Sequence, residues 1–369
     1  MNITFMVEYS NEIQELEAQI AKTKYNKSTQ HAVGLMKAKL AKLKEKRETR
    51  GSGGKKMEGY DVRKTGDGTA ILVGFPSVGK STLLNDLTNA ESKIAAYAFT
   101  TLTVIPGVMH YNDAKIQILD VPGIVKGAAA GTGRGKEVLS VMRSAELALL
   151  IIDVNAPEHY DVLKKEIYDS HLRLNQTKPD VKIVKSSHGG IQVASTIKLT
   201  KIDEETIRSV CKEFKILNAD IIIRTDIDVD EFIDVIENNK KYIPAIVVVN
   251  KIDLATEKQV EKVVKDLKAD LAISAKDKVY IEQLKELIFE KLDLIRIYLK
   301  EPSKEADLKV PIIISRHSKI SDVCNKLHKD FVAKFKFCRV WGKSSKFPGQ
   351  RFMLDHKLDD RDIVEIHLR

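Results

Sequence analysis

The segment from Ala70 to Leu84, AILVGFPSVGKSTLL, constrains the fold of this chain more than any other part of the sequence. A short apolar run leads into a glycine-bounded loop, and leucines at helical spacing follow, so the segment predicts a strand, a loop and a helix. The loop at residues 74–81 matches the pattern G-x-x-x-x-G-K-[ST], whose backbone N–H groups surround phosphate oxygens. We therefore expect an α/β domain with a phosphate-binding loop.

The side chains of this loop have expected roles of their own. Lys80 is expected to reach the β- and γ-phosphate oxygens, as a binding and catalytic residue, and the Ser81 hydroxyl is expected to ligate Mg²⁺. A glycine turn without a ligand is the alternative, but the flanking strand and helix argue against it. The other expected contacts to the nucleotide phosphates are Gly74, Pro76, Ser77, Val78, Gly79 and Thr82.

A second apolar run ends in the sequence DVPG, which begins at Asp120. Asp120 is expected to hold Mg²⁺ through a water, and the Gly123 amide to meet the γ-phosphate, so that hydrolysis releases this segment. Between the phosphate loop and Asp120 lies a threonine pair that offers a second hydroxyl to the metal. We favour Thr101 for this role, with Thr100 as the alternative. Thr101 and Gly123 thus join Lys80 as expected catalytic contacts.

The sequence NKID at residues 250–253 follows another apolar run and predicts a guanine pocket. The Asp253 carboxylate is expected to accept from the guanine N1–H and the exocyclic amine, which adenine lacks, so an adenine ligand would leave that carboxylate unpaired. The expected ligands are therefore GTP and GDP, with Mg²⁺. The expected contacts on the base side are Asn250, Lys251, Asp253, Ser274, Ala275 and Lys276.

These segments together resemble the Obg-related GTPases, and more specifically the developmentally regulated GTP-binding protein family. GFPSVGKSTLLN, AFTTLTVIPG, DVPGI with the glycine-rich run after it, and NKID carry the resemblance, which extends over nearly the whole chain. It implies a P-loop GTPase fold with an inserted α/β subdomain similar to a ribosomal-protein unit. It also implies a C-terminal TGS-like domain of the β-grasp type and a protein regulator that docks on that domain.

Composition shifts along the chain predict its organisation. In the N-terminal region Asn11 resembles a helix N-cap, a second helix is expected from about Thr29, and the glycine-rich residues 51–54 form a break. In the insertion, apolar runs at 181–185 and 191–196 flank a glycine-containing loop and predict a hairpin. The expected segments are a basic helical hairpin at 1–56, the first part of the GTPase domain at 57–157, the inserted subdomain at 158–228, the second part of the GTPase domain at 229–298 and a TGS-like β-grasp domain at 299–369.

The residue after DVPG is Ile124, where many regulatory GTPases carry a glutamine that orients the attacking water. An aliphatic side chain here predicts slow intrinsic hydrolysis. Three groups are candidates to supply the missing function: a residue of a partner, a K⁺ ion, or Arg134 in the glycine-rich stretch 127–135. Several cation-dependent relatives carry asparagine where this chain has Ser77, which argues against K⁺, and Arg134 is better suited to face solvent or a partner.

The net charge of +9 is concentrated in two clusters, at residues 37–56 and 326–346. Clustered lysines neutralise phosphate backbones, and aromatic rings stack on bases, so the ribosome or a structured RNA is the expected partner. The alternatives are a solvated helical hairpin and a β-grasp core that uses Phe335, Phe337 and Trp341 for packing. We assign most of the aromatic side chains to that core and only the lysines to the surface. For function, the alternatives to a GTPase switch are an RNA-binding scaffold with a nearly inactive nucleotide module, and a P-loop kinase or ATPase, against which NKID argues.

Composition limits the remaining possibilities. A chain of 369 residues with 43% hydrophobic and 31% charged residues can bury several cores. No apolar run is long enough to span a membrane, and the first residues lack the pattern of a secretory signal, so we expect a cytoplasmic protein. The three cysteines, Cys211, Cys324 and Cys338, lack the spacing of a disulfide framework or a metal site and are expected to be reduced and buried.

Overall fold

The computed structural model describes residues 2–24, 26, 29–50, 66–88, 105–120 and 144–369. In these ranges the chain forms two compact units, one of Met1–Glu58 with His171–Tyr242 and one of Gly59–Ser170 with Ile243–Arg369. Among the helices of the described ranges, none has both the length and the apolar character that a membrane crossing requires. Five predicted features lie outside the described residues: the break at 51–54, Thr100 with Thr101, Gly123, Ile124, and the stretch 127–135.

The larger unit is built on a six-stranded sheet. The sheet is parallel except for one antiparallel pair at its edge. Its strands are β1 (Gly68–Val73), β2 (Ile105–Tyr111), β3 (Ala114–Asp120), β4 (Leu147–Asp153), β10 (Ala245–Asn250) and β11 (Leu271–Ala272). They lie in the order β11-β10-β4-β1-β3-β2. The central strands β1, β4 and β10 are continuous apolar runs because helices cover both faces of a parallel sheet.

The helices of this sheet follow the parallel strands, as in other α/β folds. They are α3 (Lys80–Thr88), α4 (His159–Asp169), α7 (Glu257–Leu267) and α8 (Ile281–Lys291). Leu83, Leu84 and Leu87 of α3 are fully buried, as their helical spacing predicts. The carboxyl ends of β1, β3, β4 and β10 all reach the same edge of the sheet, which is where ligands bind in open α/β folds.

The C-terminal part of the larger unit is a five-stranded mixed sheet. Its central pair of strands is parallel and the others are antiparallel. The strands are β12 (Leu294–Lys300), β13 (Ala306–Ser315), β14 (Phe335–Trp341), β15 (Gln350–Phe352) and β16 (Ile363–Leu368), with helices α9 (Ile320–Leu327) and α10 (Lys329–Ala333). They lie in the order β13-β12-β16-β14-β15. Val323 and Cys324 of α9 pack with Val340 and Val364 in the core of this domain.

The aromatic side chains of β14 divide between the two faces of this sheet. Phe335 is buried in the core, as predicted, but Phe337 and Trp341 are not, so that part of the expectation is wrong. The pairing of β14 with β16 is irregular between Phe335 and Phe337, which changes the phase of the alternation. Phe337 therefore stacks on His367 with ring centroids 4.2 Å apart, and the Lys300 ammonium lies 4.4 Å from the Trp341 ring.

An ion pair in this domain gives its stability a dependence on pH. Asp360 accepts from the backbone N–H of Arg296 at 2.8 Å and from the guanidinium Nη2 at 2.8 Å. Burial opposes ionisation of Asp360, but these bonds together hold its pKa below the ordinary value. A depressed carboxyl pKa contributes stability that is present above the ordinary pKa and is lost as the pH falls through the folded-state pKa.

We expect Asp360→Asn to lower the free energy of unfolding of the C-terminal domain by about 1.5–3 kcal/mol at pH 7, the range for hydrogen bonds to charged groups. The difference from the parent chain should shrink as the pH falls below about 4, where the parent loses its own ion pair. Urea titrations followed by Trp341, the single tryptophan, measure this. Asp355→Asn is the matched control, because that carboxylate is 93% exposed. If the free energy of unfolding differed equally between Asp360→Asn and the parent at pH 7 and below about pH 4, the prediction would be contradicted.

The smaller unit combines the N-terminal helices with the inserted segment. Its central sheet has three strands and is flanked by helices. The elements are α1 (Asn2–Lys22), α2 (Gln30–Arg50), β5 (Leu172–Leu174), β6 (Val181–Lys185), β7 (Ile191–Ser195), α5 (Glu204–Glu213), β8 (Ala219–Ile223), α6 (Val229–Glu237) and β9 (Lys241–Ile243). The three-stranded order is β6-β8-β7, and β5 pairs with β9. Ile207 and Phe232 of the two helices that follow β7 and β8 pack in its core.

Two expectations for this unit are wrong. β6 and β7 do not form a hairpin, because β8 lies between them, antiparallel to β6 and parallel to β7. β8 carries Ile221 and Ile223, both buried. An apolar strand of this kind removes most apolar surface from water in the central position. Asn11 is not an N-cap, since it lies within α1. The structure also places α4 in the larger unit and α6 in the smaller one, so the unit boundaries differ from the predicted domain boundaries at 158 and 228.

Helix α2 packs closely on the inserted segment. A Cβ atom at Gly34 would lie 2.8 Å from the Thr206 methyl group, and Ala38 is fully buried. Lys37 and Lys42 form ion pairs with Asp230 and Glu213. Part of the positive charge of the N-terminal cluster is therefore neutralised within this unit. The three cysteines are buried and free, as expected.

Candidate functional site

The loop between β1 and α3 has the geometry of a phosphate cradle. Gly74 has no room for a side chain, because a Cβ atom there would lie 2.6 Å from the Ile151 carbonyl oxygen. Gly79 has φ +94°, which side chains rarely tolerate, and a Cβ atom would lie 2.5 Å from the amide nitrogen of Asn250. Both glycines are thus required by the path of the backbone, and the loop ends at the N-terminus of α3, where N–H groups favour an anion.

Lys80 is held inside this loop. Its ammonium donates to the carbonyl oxygens of Gly74 and Phe75, each at 2.9 Å. Burial lowers the pKa of Lys80, and the negative charge of Asp120 raises it in part. The ammonium is therefore already positioned at the mouth of the cradle, on the side where the terminal phosphates of a nucleotide would lie.

Ser81 and Asp120 meet at the ends of α3 and β3. The Ser81 hydroxyl donates to Asp120 Oδ2 at 3.2 Å, while the buried Oδ1 has no hydrogen-bond partner among the described residues. Burial raises the pKa of Asp120, and Lys80 and the Ser81 hydroxyl lower it. A hydroxyl oxygen beside an unpartnered carboxylate oxygen fits Mg²⁺, which prefers such oxygen ligands and neutralises phosphate charge when bound. These two residues could hold the metal.

Asn250, at the end of β10, connects the phosphate loop with the base side of the site. It is 1% exposed. Its Nδ2 donates to the Val78 carbonyl at 2.8 Å, and its Oδ1 accepts from the Ala275 amide at 3.1 Å. The side chain therefore fixes two loops relative to each other, and its amide group keeps a second N–H that neither bond uses.

A cavity of about 200 Å³ lies where the sequence predicts the base. The Asp253 Oδ1 accepts from the Ser274 hydroxyl at 2.7 Å, which orients the carboxylate. Lys251 has φ +68°, and its ammonium pairs with Asp153 Oδ2 at 2.7 Å. The cavity is lined by Gly79, Thr82, Asn250, Lys251, Asp253, Leu254, Ala275 and Lys276.

The structure thus brings together nearly all of the predicted site residues that it describes. Pro76 and Ser77 lie at the exposed tip of the loop. Sequence reasoning did not predict two further residues at this site. Asp153 ends the apolar strand β4 directly opposite Asn250 in the sheet register, and that position was the available signal. His159 stacks on Phe75 with centroids 3.9 Å apart, and no sequence pattern indicated this contact.

Three family profiles match consecutive parts of the chain. The profile described as 50S ribosome-binding GTPase matches residues 69–186, and a profile for the C-terminal region of that GTPase domain matches residues 188–294. The TGS domain profile matches residues 295–368. These matches agree with the α/β architecture and confirm the predicted P-loop GTPase domain and C-terminal TGS domain.

Relatives that match nearly the whole chain show the family to which it belongs. Developmentally-regulated G-protein 3 of Arabidopsis thaliana is 44% identical over 96% of this chain and 97% of its own length. Developmentally-regulated GTP-binding protein 1 of Xenopus laevis is 42% identical over 96% and 97%. The chain belongs to the developmentally regulated GTP-binding protein family. It is a GTP-binding GTPase.

Further similarity extends to archaea. An uncharacterized GTP-binding protein of Methanocaldococcus jannaschii is 53% identical over 97% of this chain and 92% of its own length. Among solved structures, the FeoB G-domain from Methanococcus jannaschii matches with a TM-score of 0.33 and 19% identity, over 61% of this chain and 97% of that one. That structural likeness is too low to add to the assignment.

The role of Asn250 in this GTPase gives a prediction. Asn250→Ala removes both hydrogen bonds and leaves the Val78 carbonyl and the Ala275 amide unpaired, at about 1–3 kcal/mol for each buried group. We expect GDP to dissociate at least about tenfold faster, because the two loops are no longer held together. Stopped-flow release of a fluorescent GDP analogue measures this. Gln283→Ala, at an exposed position on α8, is the control. An unchanged dissociation rate would show that Asn250 does not organise the site.

Proposed function

We propose that this GTPase is a Mg²⁺-dependent switch that acts on the ribosome or on a structured RNA, and that it turns over slowly without a partner. One observation carries the proposal: a phosphate cradle, an unpartnered buried carboxylate oxygen on Asp120 and an oriented carboxylate on Asp253 lie at one edge of one sheet. This arrangement supports recognition of the phosphates, the metal and the base in a single ligand.

The phosphate and metal contacts follow from the geometry. We assign the phosphates to the backbone of residues 74–82 and to Lys80, and the metal to Ser81 and Asp120. Thr101 and Gly123 complete the proposal as the second hydroxyl ligand and the γ-phosphate contact. Loss of the γ-phosphate would then release the segments that carry those two residues, which gives a partner two surfaces to distinguish.

The base contacts are assigned by hydrogen-bond chemistry. Asp253, oriented by Ser274, accepts from guanine, while the aliphatic stem of Lys251 packs against the base. Ala275 and Lys276 contact the base from the other side. Because Asp153 neutralises the Lys251 ammonium, the stem has one preferred position.

Slow turnover follows from Ile124, which offers no polar group to orient water. We propose that a partner or K⁺ supplies this function. Single-turnover phosphate release, measured with and without ribosomes and in K⁺ or Na⁺, tests it. Acceleration by either addition is the expected result. No acceleration under any condition would favour the other candidate function, an RNA-binding scaffold that uses the nucleotide for stability.

The ribosome is proposed as the partner on charge and on the family profile. The chain carries a net charge of +9, and the description of the matching GTPase profile names the 50S ribosome. Co-sedimentation with ribosomes in a GTP analogue, in GDP and without nucleotide tests this. We expect retention to be strongest with the analogue and to weaken as salt rises. Equal retention in all three states would exclude a switch on the ribosome.

The remaining expectations are proposals of the same kind. We propose that a protein regulator docks on the TGS domain, that the protein acts in the cytoplasm, and that the GTPase, inserted and TGS segments are sequence domains with the boundaries given above. Fluorescence microscopy of the tagged chain, and affinity capture with and without residues 299–369, test the location and the docking site.

A further inference from the structure

The smaller unit contains a cavity that belongs to none of the sites described above. Its volume is about 360 Å³, within the range of roughly 300–1,000 Å³ that small-molecule pockets occupy. It lies between β6 and the C-terminal end of α6, and every residue assigned to GTP is in the other unit. The apolar part of its wall consists of Pro179, Val181, Ile183, Ile216, Val235 and Ile236.

The charged part of the wall is strongly positive. Lys178, Lys182, Lys185 and Lys240 line the cavity. Lys240 is paired with Glu237 at 2.5 Å, and both side chains are less than a tenth exposed. The other three lysines form no ion pair with any residue that the structure describes. These three lysines are exposed, so they place three positive charges along the wall and rim of the cavity without an ion-pair partner among the described residues.

The carboxylate in this wall does not offset that charge. Asp234 accepts from the Nε and Nη2 of Arg173 at 2.5 and 2.8 Å. The Arg173 and Asp234 side chains are 3% and 6% exposed, so the pair is almost fully buried and carries no net charge. Because a buried pair of this kind is already satisfied, Asp234 is not available to the three lysines, and an anion from solution is the natural counter-charge.

Tyr242 and Asn238 add polar groups and one aromatic ring to the wall. Burial raises the pKa of Tyr242 to about 12, so its hydroxyl stays protonated and can donate a hydrogen bond. Asn238 ends α6 with φ +46° and contributes an amide. A ring beside aliphatic side chains suits a flat apolar group, while the lysines suit phosphate oxygens.

We propose that this cavity binds a phosphorylated small molecule of nucleotide size, with its phosphate on Lys178, Lys182 and Lys185 and its ring against Tyr242 and the aliphatic wall. The volume admits one such unit. Two sources share this chemistry, a free nucleotide and a single nucleotide of an RNA strand. The inference does not depend on the proposed switch function, because no residue of the GTP site takes part.

The test uses the full chain with its GTP site saturated by GDP, so that the second site alone is open. A fluorescent AMP analogue is titrated and its anisotropy is followed. We expect saturable binding that unlabelled AMP displaces and adenosine, which lacks the phosphate, does not. Absence of saturable binding into the millimolar range, or equal displacement by adenosine, would overturn the proposal.

Charge variants distinguish a specific binding site in the cavity from non-specific electrostatic attraction to the protein surface. The triple variant Lys178→Gln, Lys182→Gln, Lys185→Gln should weaken binding at least about tenfold, since it removes every unpaired cation of the wall. The triple variant Lys198→Gln, Lys201→Gln, Lys212→Gln removes equal charge from exposed positions of the same unit outside the cavity, and should bind as the parent does. If both variants lose affinity equally, the proposal fails.

A variant that fills the cavity without changing any charge completes the test. Val235→Trp, at a partly buried position on α6, fills the cavity and should abolish binding, with folding checked by circular dichroism. Unchanged binding by a folded Val235→Trp would overturn the proposal. Competition by a short oligoadenylate then distinguishes the sources: stronger competition per nucleotide than AMP identifies an RNA nucleotide, and weaker competition identifies a free one.

Discussion

Lys80→Ala is expected to lower the affinity for GDP and GTP by about two to three orders of magnitude. Lys80 is the one cation that donates to the loop carbonyls of Gly74 and Phe75 among the described residues, and it lies where the terminal phosphates would. Removing one partner of a desolvated, hydrogen-bonded charge pair costs roughly 2–5 kcal/mol, and a loss of two to three orders of magnitude, about 3–4 kcal/mol, lies within that range. The empty loop also loses the contact that holds its two carbonyls together.

Titration of a fluorescent GDP analogue measures the effect in Mg²⁺. Lys262→Ala, at an exposed position on α7 of the same unit, is the matched control and should bind as the parent does. Fluorescence of Trp341, in the C-terminal domain, shows whether that domain remains folded in both variants. Retention of parent-like affinity by Lys80→Ala would mean that the phosphates lie elsewhere.

Asp253→Asn is expected to change the base preference from guanine to xanthine. The substitution replaces an acceptor by a donor at the edge that faces N1–H and the exocyclic amine of guanine, and xanthine presents an acceptor where guanine has that amine. GTP should lose at least about a hundredfold in affinity relative to XTP, because polar groups at the base edge are left mismatched. The Ser274 hydroxyl can still donate to the oxygen of the new amide, so the loop keeps its contact.

Competition of GTP and XTP against a bound fluorescent GDP analogue measures this ratio for the parent chain. For the variant a fluorescent XDP analogue takes its place. Asp266→Asn, on the exposed side of α7, makes the same chemical change away from the site and should keep the preference for GTP. If Asp253→Asn leaves GTP selectivity unchanged, the base does not lie in the cavity beside Ala275 and Lys276.

The parts of the fold that sequence reasoning predicted are those with local signals. The strand, loop and helix around Lys80 are encoded by residues that are neighbours in the chain, with glycines where the backbone path excludes a Cβ atom. Asp120 and Asn250 each follow an apolar run, which predicts the end of a strand, and the structure shows that both strand ends lie at one edge of the parallel sheet. The family resemblance rests on the same segments.

The parts that sequence reasoning missed depend on non-local choices. Runs 181–185 and 191–195 have the spacing of a hairpin, but the strand at 219–223 competes for the central position and takes it. An irregular pairing in β14 reverses the face that Phe337 and Trp341 occupy, and no residue type in the sequence indicates this irregularity. The Lys251–Asp153 pair follows from which strands are neighbours, which periodicity does not reveal.

The two hydrogen bonds of Asn250 have a kinetic consequence. Because one side chain bonds to both the Val78 carbonyl and the Ala275 amide, the phosphate loop and the loop at Ala275 are expected to loosen together. Release of a ligand would then require both loops to loosen in one step. A displacement of either loop is therefore expected to reach the other loop through the Asn250 side chain.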